Sequence, residues 1–164
     1  MYRVKIFALL IMLAGAVINC GSGGDSLSGS VSDFKYWSLN FDYTEITLTD
    51  EGLQIKYLRE VPGTDTPDIV ASVIVLREGT AIQPDVEIDL GAYGELDRFV
   101  RTTDDTGALV EDNHPFPGIE SGTITFSKLS PTHGRPVAGE FFVLFLNGYT
   151  LNGKFSGNLI VQNM

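Results

Sequence analysis

The sequence predicts an all-β domain: an antiparallel sandwich of about seven or eight strands, or else a small barrel. Three observations lead there. Period-2 alternation of apolar and polar residues recurs along the chain, and no stretch sustains a helical period. Turn signals return every 8–15 residues. Two runs, Ile69 to Leu76 and Val137 to Leu146, are apolar at both parities, as expected of strands covered on both faces. Those two runs favour the sandwich over the barrel.

Trp37, Leu39, Phe41 and Tyr43 alternate with Ser38, Asn40 and Asp42, which predicts a half-buried strand. Ile46 and Leu48 lead into the turn Asp50-Glu51-Gly52, and Leu53, Ile55 and Tyr57 resume the alternation, so a hairpin is expected. Pro62-Gly63 and Thr66-Pro67-Asp68 mark a loop. After the run 69–76, Val86, Ile88 and Leu90 make a short strand. A helical turn fits Leu96 to Val100, within the irregular stretch 91–103. Residues 104–121, polar and punctuated by proline, read as a long surface loop.

Gly122 to Phe126 and Val137 to Leu146 are strands, and Asn147-Gly148 then supplies a two-residue turn with positive φ at both positions. Pairing across such a turn sets Leu146 opposite Tyr149, Leu144 opposite Leu151 and Glu140 opposite Phe155. The blocks Gly-Thr-Ile-Thr-Phe, Val-Ala-Gly-Glu-Phe and Leu-Asn-Gly-Lys-Phe-Ser-Gly resemble the closing strands of uncharacterised bacterial lipoprotein β domains. That likeness covers roughly a quarter of the chain and implies no activity. A Gly-charged-Phe triplet occurs twice, at Gly139 and Gly153.

The N-terminus carries a different message. Arg3 and Lys5 precede an unbroken apolar run, Ile6 to Ile18, that ends at Cys20, the only cysteine in the chain. A basic start, a short apolar stretch and small residues form a secretory signal peptide. At 1.5 Å per residue the run makes a helix of roughly 20 Å, too short for a hydrocarbon core of about 30 Å. Val17, Ile18 and Asn19 leading into Cys20 resemble the lipobox of bacterial lipoproteins, with Asn19 standing where that motif carries a small residue. The resemblance implies that residues 1–19 are removed. Cys20 then becomes a lipidated N-terminus, bearing a thioether-linked diacylglycerol and an N-acyl chain. Gly21 in place of an aspartate points to the outer membrane. The alternative is plain secretion after Ala14-Gly15-Ala16, with Cys20 left as a thiol. Residues 20–31, rich in Gly and Ser, are expected to be a flexible tether, and residues 32–164 a single β domain.

The chain carries a net charge of −10, and residues 1–19 hold two bases and no acid, so the exported part sits near −12. A surface that acidic repels nucleic-acid phosphates and anionic headgroups, which excludes nucleic acid as a partner and leaves a covalent anchor as the membrane contact. With 43% hydrophobic and 10% aromatic residues, a packed core is available. One cysteine permits no intramolecular disulfide.

Four motifs bear on chemistry. Gly24-Asp25-Ser26-Leu27-Ser28 resembles the nucleophile block of the GDSL esterases and lipases. Nucleophilic serine chemistry also needs a histidine, an acid and oxyanion donors, and that family's later Gly-x-Asn-Asp and Asp-x-x-His blocks do not occur. Ser32-Asp33-Phe34-Lys35 matches the Ser-x-x-Lys string of penicillin-recognising enzymes without their other elements. His114 and His133 stand in turn-like contexts, with no ligand spacing for zinc. Asp104, Asp105, Glu111 and Asp112 form an acidic cluster that matches no calcium loop. The chain is therefore expected to be non-enzymatic, with no cofactor, and to act as an interaction or assembly module of the envelope. The alternative is a module for a glycan or small ligand, with or without calcium, whose binding face Tyr93, Phe116 and Tyr149 could line.

Overall fold

A computed structural model describes residues 24–33, 38–78, 80–103, 109–113 and 116–162. The signal segment 1–19, Cys20, Phe34, Lys35, Trp37, Asp104, Asp105 and His114 lie outside those residues. The chain is all-β. In order come β1 (Ser26–Ser28), a 3-10 turn (Ser30–Asp33), β2 (Tyr43–Leu48), β3 (Gly52–Arg59), β4 (Asp68–Leu76) and β5 (Glu87–Asp89). A single helical turn, α1 (Leu90–Tyr93), precedes β6 (Gly94–Thr103), β7 (Leu109–Asn113), β8 (Ile119–Lys128), β9 (Pro136–Phe145) and β10 (Thr150–Val161).

The strands form one curled sheet in the order β5-β8-β9-β10-β2-β3-β4-β6-β7, with β1 also on β10. Neighbours are antiparallel except β10 and β2, which run parallel where Leu159–Val161 meets Ile46–Leu48. The 12-residue β10 is the seam: it pairs with β9 along one edge, and with β1 and then β2 along the other. Two hydrogen-bonded halves thus share one strand and close over one core, a shape that fits both a sandwich and a small, nearly closed barrel.

The core is aromatic at its centre. Phe41 meets Tyr57 edge-on with centroids 4.9 Å apart, Phe126 meets Phe155 at 5.6 Å, and Phe116 stacks on Phe145 at 5.4 Å. Each buried ring contributes about 1.5–3 kcal/mol by leaving water, and edge-to-face contacts add a little more.

The repeated triplet explains the register of β9 and β10. Gly139 pairs with Phe155, Glu140 with Lys154, and Phe141 with Gly153. Each glycine faces the core and leaves the space that the opposite strand's ring occupies. A Cβ on Gly153 would lie 2.6 Å from both Phe141 Cε1 and the Tyr57 hydroxyl, and one on Gly139 would lie 2.7 Å from Phe155 Cζ. The charged residue of each triplet faces outward, where Glu140 and Lys154 sit 3.1 Å apart. Rings covering cross-strand glycines fix the alignment.

Several expectations need correction. The segment read as tether enters the domain: Leu27 and Val31 are in the core, and β1 pairs with β10. Asp25 is buried as well, accepting hydrogen bonds from Thr44 Oγ1 at 2.5 Å and Ser156 Oγ at 2.7 Å. Gly/Ser composition concealed a three-residue strand whose only apolar residue is Leu27. Leu39 and Phe41 are buried, as their alternation implied, yet 38–42 is not strand, and β2 begins at Tyr43.

No helical turn occupies Leu96 to Val100. That segment is β6, held between β4 and β7, and the inward position that breaks its apolar alternation is Arg98. The helical turn falls earlier, where Asp89 caps it by accepting from the Gly91 amide at 2.8 Å. The loop expected at 104–121 contains β7 and the start of β8.

The last hairpin is shifted by one residue, with Leu144 opposite Thr150 and Glu140 opposite Lys154. Phe145 and Tyr149 flank a three-residue loop in which Gly148 alone has positive φ, at +82°. That is a type I turn followed by a left-handed residue. Packing of the triplets outweighed the two-residue turn signal. β4 does carry buried residues on both faces, Val73 and Ser72 among them. β9 does not: outward-facing Phe142 is 48% exposed, and Leu146, just past the strand, 71%.

Candidate functional site

Strand alternation sends Phe141, Val143 and Phe145 of β9 into the core, so Glu140, Phe142 and Leu144 face out. Neighbouring strands extend this outward face in register. One row runs Glu87, Thr125, Glu140, Lys154, Ser26 across β5, β8, β9, β10 and β1. The next runs Asp89, Thr123, Phe142, Asn152, Ser28. A recess of about 300 Å³ lies over these rows, lined by Ser26, Glu87, Thr123, Thr125, Glu140, Phe142, Asn152 and Lys154. Phe142 is thus a solvent-facing ring in the middle strand of five, ringed by hydroxyls, an amide, carboxylates and one ammonium.

The surrounding groups are partly fixed. Asn152 Nδ2 donates to Ser28 Oγ at 2.8 Å, which orients the amide at the recess. The Glu140–Lys154 pair is exposed on both sides and contributes at most about 1 kcal/mol. Both of its groups remain available to a ligand. Beneath the face, the Tyr57 hydroxyl donates to the Lys154 carbonyl at 2.9 Å, and burial raises its pKa well above the usual phenol value, helped by the Asp25 charge. Beneath Phe142 the sheet is packed by buried Phe141 and Tyr57.

A second concavity, of about 310 Å³, opens at the end of the sheet where β2, β4, β8 and β10 finish. Leu48, Leu53, Ile82, Leu129, Leu159, Pro84 and Pro131 line it, together with Arg77 and Thr80. Its walls are aliphatic and hold few groups that could orient a ligand, whereas specific small-molecule sites add a few placed polar groups to such walls. A third feature is internal. Asp68 is buried and lies 2.9 Å from Arg59 Nη2, close to buried Arg98, whose pKa is lowered to about 10 by burial and by Arg59, with Asp68 opposing.

The residues singled out from sequence are scattered. Asp25, just before β1, is buried, whereas Ser26, the first residue of β1, faces the recess. They cannot act as an acid–nucleophile pair. His133 sits in a turn with Nδ1 accepting from the Val161 amide at 3.2 Å, which pins the end of β10. Glu111 and Asp112 lie on β7 opposite Arg101 and Val100. Among the described residues no group of three or more His, Cys, Asp or Glu converges as metal ligands would.

Phe116 is buried on Phe145, and Tyr93 and Tyr149 pack against the core, so none of the three forms the exposed platform. Phe142 was missed because β9 was read as covered on both faces. Glu140, two residues earlier at the same parity, was the signal that this side meets water.

No protein-family model, no curated protein and no solved structure matches the chain.

Proposed function

We propose that the chain is a non-enzymatic lipoprotein of a bacterial envelope, held at the outer membrane through lipidated Cys20, whose β domain is an interaction module. The observation that carries the reading is Phe142: a large ring, 48% exposed, central on a five-stranded face over a packed core. A ring set centrally among in-register polar residues, with hydrogen-bonding groups at its border, suits recognition. The leader supports the anchor. A basic start and a thirteen-residue apolar run end beside the only cysteine. Two or more acyl chains suffice for stable attachment. Because β1 begins at Ser26, the six residues from Cys20 reach at most about 20 Å, so the face stays close to the bilayer.

Two measurements test this. An alkyne-bearing palmitate analogue supplied to cells should label the wild-type chain and spare Cys20→Ser; equal labelling of both removes the anchor. A photo-crosslinking residue at position 142 should capture an envelope component in intact cells, and the same probe at Lys56, on β3, should not. Equal capture at the two positions removes the face.

A further inference from the structure

Resting on the reading of this face as the interaction surface, we infer that its ligand is a neutral saccharide, with Phe142 as the stacking platform. Three features of the recess select that chemistry. The first is proportion: one exposed ring stands among hydroxyl, amide and charged side chains. The core of a protein–protein interface is depleted of charge, whereas Glu87, Glu140 and Lys154 all line this recess around its one ring. A sugar has the matching duality, an apolar C–H face for the ring and equatorial hydroxyls for the rim.

The second is spacing. Asn152 and Thr123 are the direct cross-strand neighbours of Phe142, one on each side. Such neighbours place their Cβ atoms about 4.5–5.5 Å away, a distance comparable to the width of a pyranose ring. A ring stacked on Phe142 would meet an amide on one flank and a hydroxyl on the other. The adjacent row, two residues along each strand, presents Glu140, Lys154 and Thr125 to the next sugar unit. The Glu140–Lys154 pair offers both an acceptor and a donor there, and a vicinal diol can bridge it.

The third is charge. Glu87, Asp89 and Glu140 outnumber Lys154 on this face, on a chain of net charge −10. Uronic acids, sulfated glycans and other polyanions are repelled, so a neutral sugar is favoured.

The test uses the full chain in a detergent without a sugar headgroup. The probes are cellotetraose, maltotetraose and chitotetraose, neutral oligomers that differ in linkage and in the 2-substituent, titrated by calorimetry and by amide chemical shifts. At least one should bind saturably at millimolar concentration or below, with shifts confined to β1, β8, β9 and β10. Phe142→Ala should weaken it about tenfold or more, Phe142→Trp should retain it, and Lys56→Ala should leave it unchanged. Added salt should change the affinity little, since the ligand carries no charge. Binding indifferent to Phe142→Ala, or no binding by any of the three, overturns the inference. If none binds while a probe at position 142 still captures an envelope protein, the interaction face stands and only the saccharide assignment falls. If position 142 captures nothing either, both fall.

Discussion

The two faces of the β9–β10 ribbon use one pair of triplets for opposite ends. Inward, Gly139 and Gly153 make room for Phe155 and Phe141, and every large side chain nearby is dry. Outward, one residue along, Glu140 meets Lys154 in water, and Phe142 lies exposed beside them. The inner face determines where each strand sits, and the outer face, freed from that duty, can be devoted to contact. A difference this sharp between adjacent residues means that inner substitutions should damage folding while outer ones should damage recognition alone.

The largest effect is expected at the inner face. Phe155 is buried against Phe126 and over Gly139, so Phe155→Ala should lower the unfolding free energy by about 3–5 kcal/mol. Gly153→Ala drives a Cβ into the Phe141 ring and the Tyr57 hydroxyl and should cost about 1–3 kcal/mol. Urea titrations followed by tryptophan fluorescence or far-UV dichroism measure both. Losses near zero would mean that the triplets do not fix the register.

Asp25 sharpens the comparison at the edge of the domain. Its carboxylate accepts from Thr44 and Ser156, and Asp25→Ala leaves two hydroxyls without that partner at a cost of about 1–3 kcal/mol. A residue in a free tether would show no loss. The same titration decides whether the folded unit begins at Asp25 or after residue 31.

Alkaline pH separates the faces again. The phenol of Tyr57 is buried beneath the outer row, and its folded pKa is raised well above the usual value by desolvation, then by Asp25. The unfolded chain loses this proton near pH ~10 while the folded chain keeps it. Its contribution is therefore complete below pH ~10 and is lost as pH rises towards the folded value. Arg98 acts with the opposite sign, because burial lowers its pKa to about 10 and the unfolded chain holds that proton to higher pH. The fall in urea midpoint above pH ~10 should flatten in Tyr57→Phe. An unchanged slope would place the titration elsewhere.

The all-β class was legible because alternation and turn residues are local signals, and β3, β4, β8 and β9 appear close to where those signals lie. What could not be read depends on partners distant in sequence. β1 has one apolar residue, and only its pairing with β10, more than a hundred residues away, makes it a strand. β6 hides its parity behind the buried Arg98. The hairpin register follows from ring-over-glycine packing, which competes with the Asn147-Gly148 signal and wins. The outward face of these strands was half legible: Glu140 and Lys154 marked the outward parity of both. The rows assemble from β1, β5 and β8 as well, and no local pattern predicts that order.

The smallest stability effect is expected where the functional effect is largest. Phe142 is 48% exposed and faces away from the core, so Phe142→Ala should change the unfolding free energy by no more than about 0.5 kcal/mol. Its neighbour Phe141, 4% exposed and edge-on to Tyr57 at 6.2 Å, should cost several times that when truncated. The two adjacent residues form an internal control, because they share backbone, strand and composition and differ only in the side they face. If Phe142→Ala unfolds the chain as Phe141→Ala does, the ring is a structural support. If stability is untouched while capture at the face disappears, the exposed ring serves recognition.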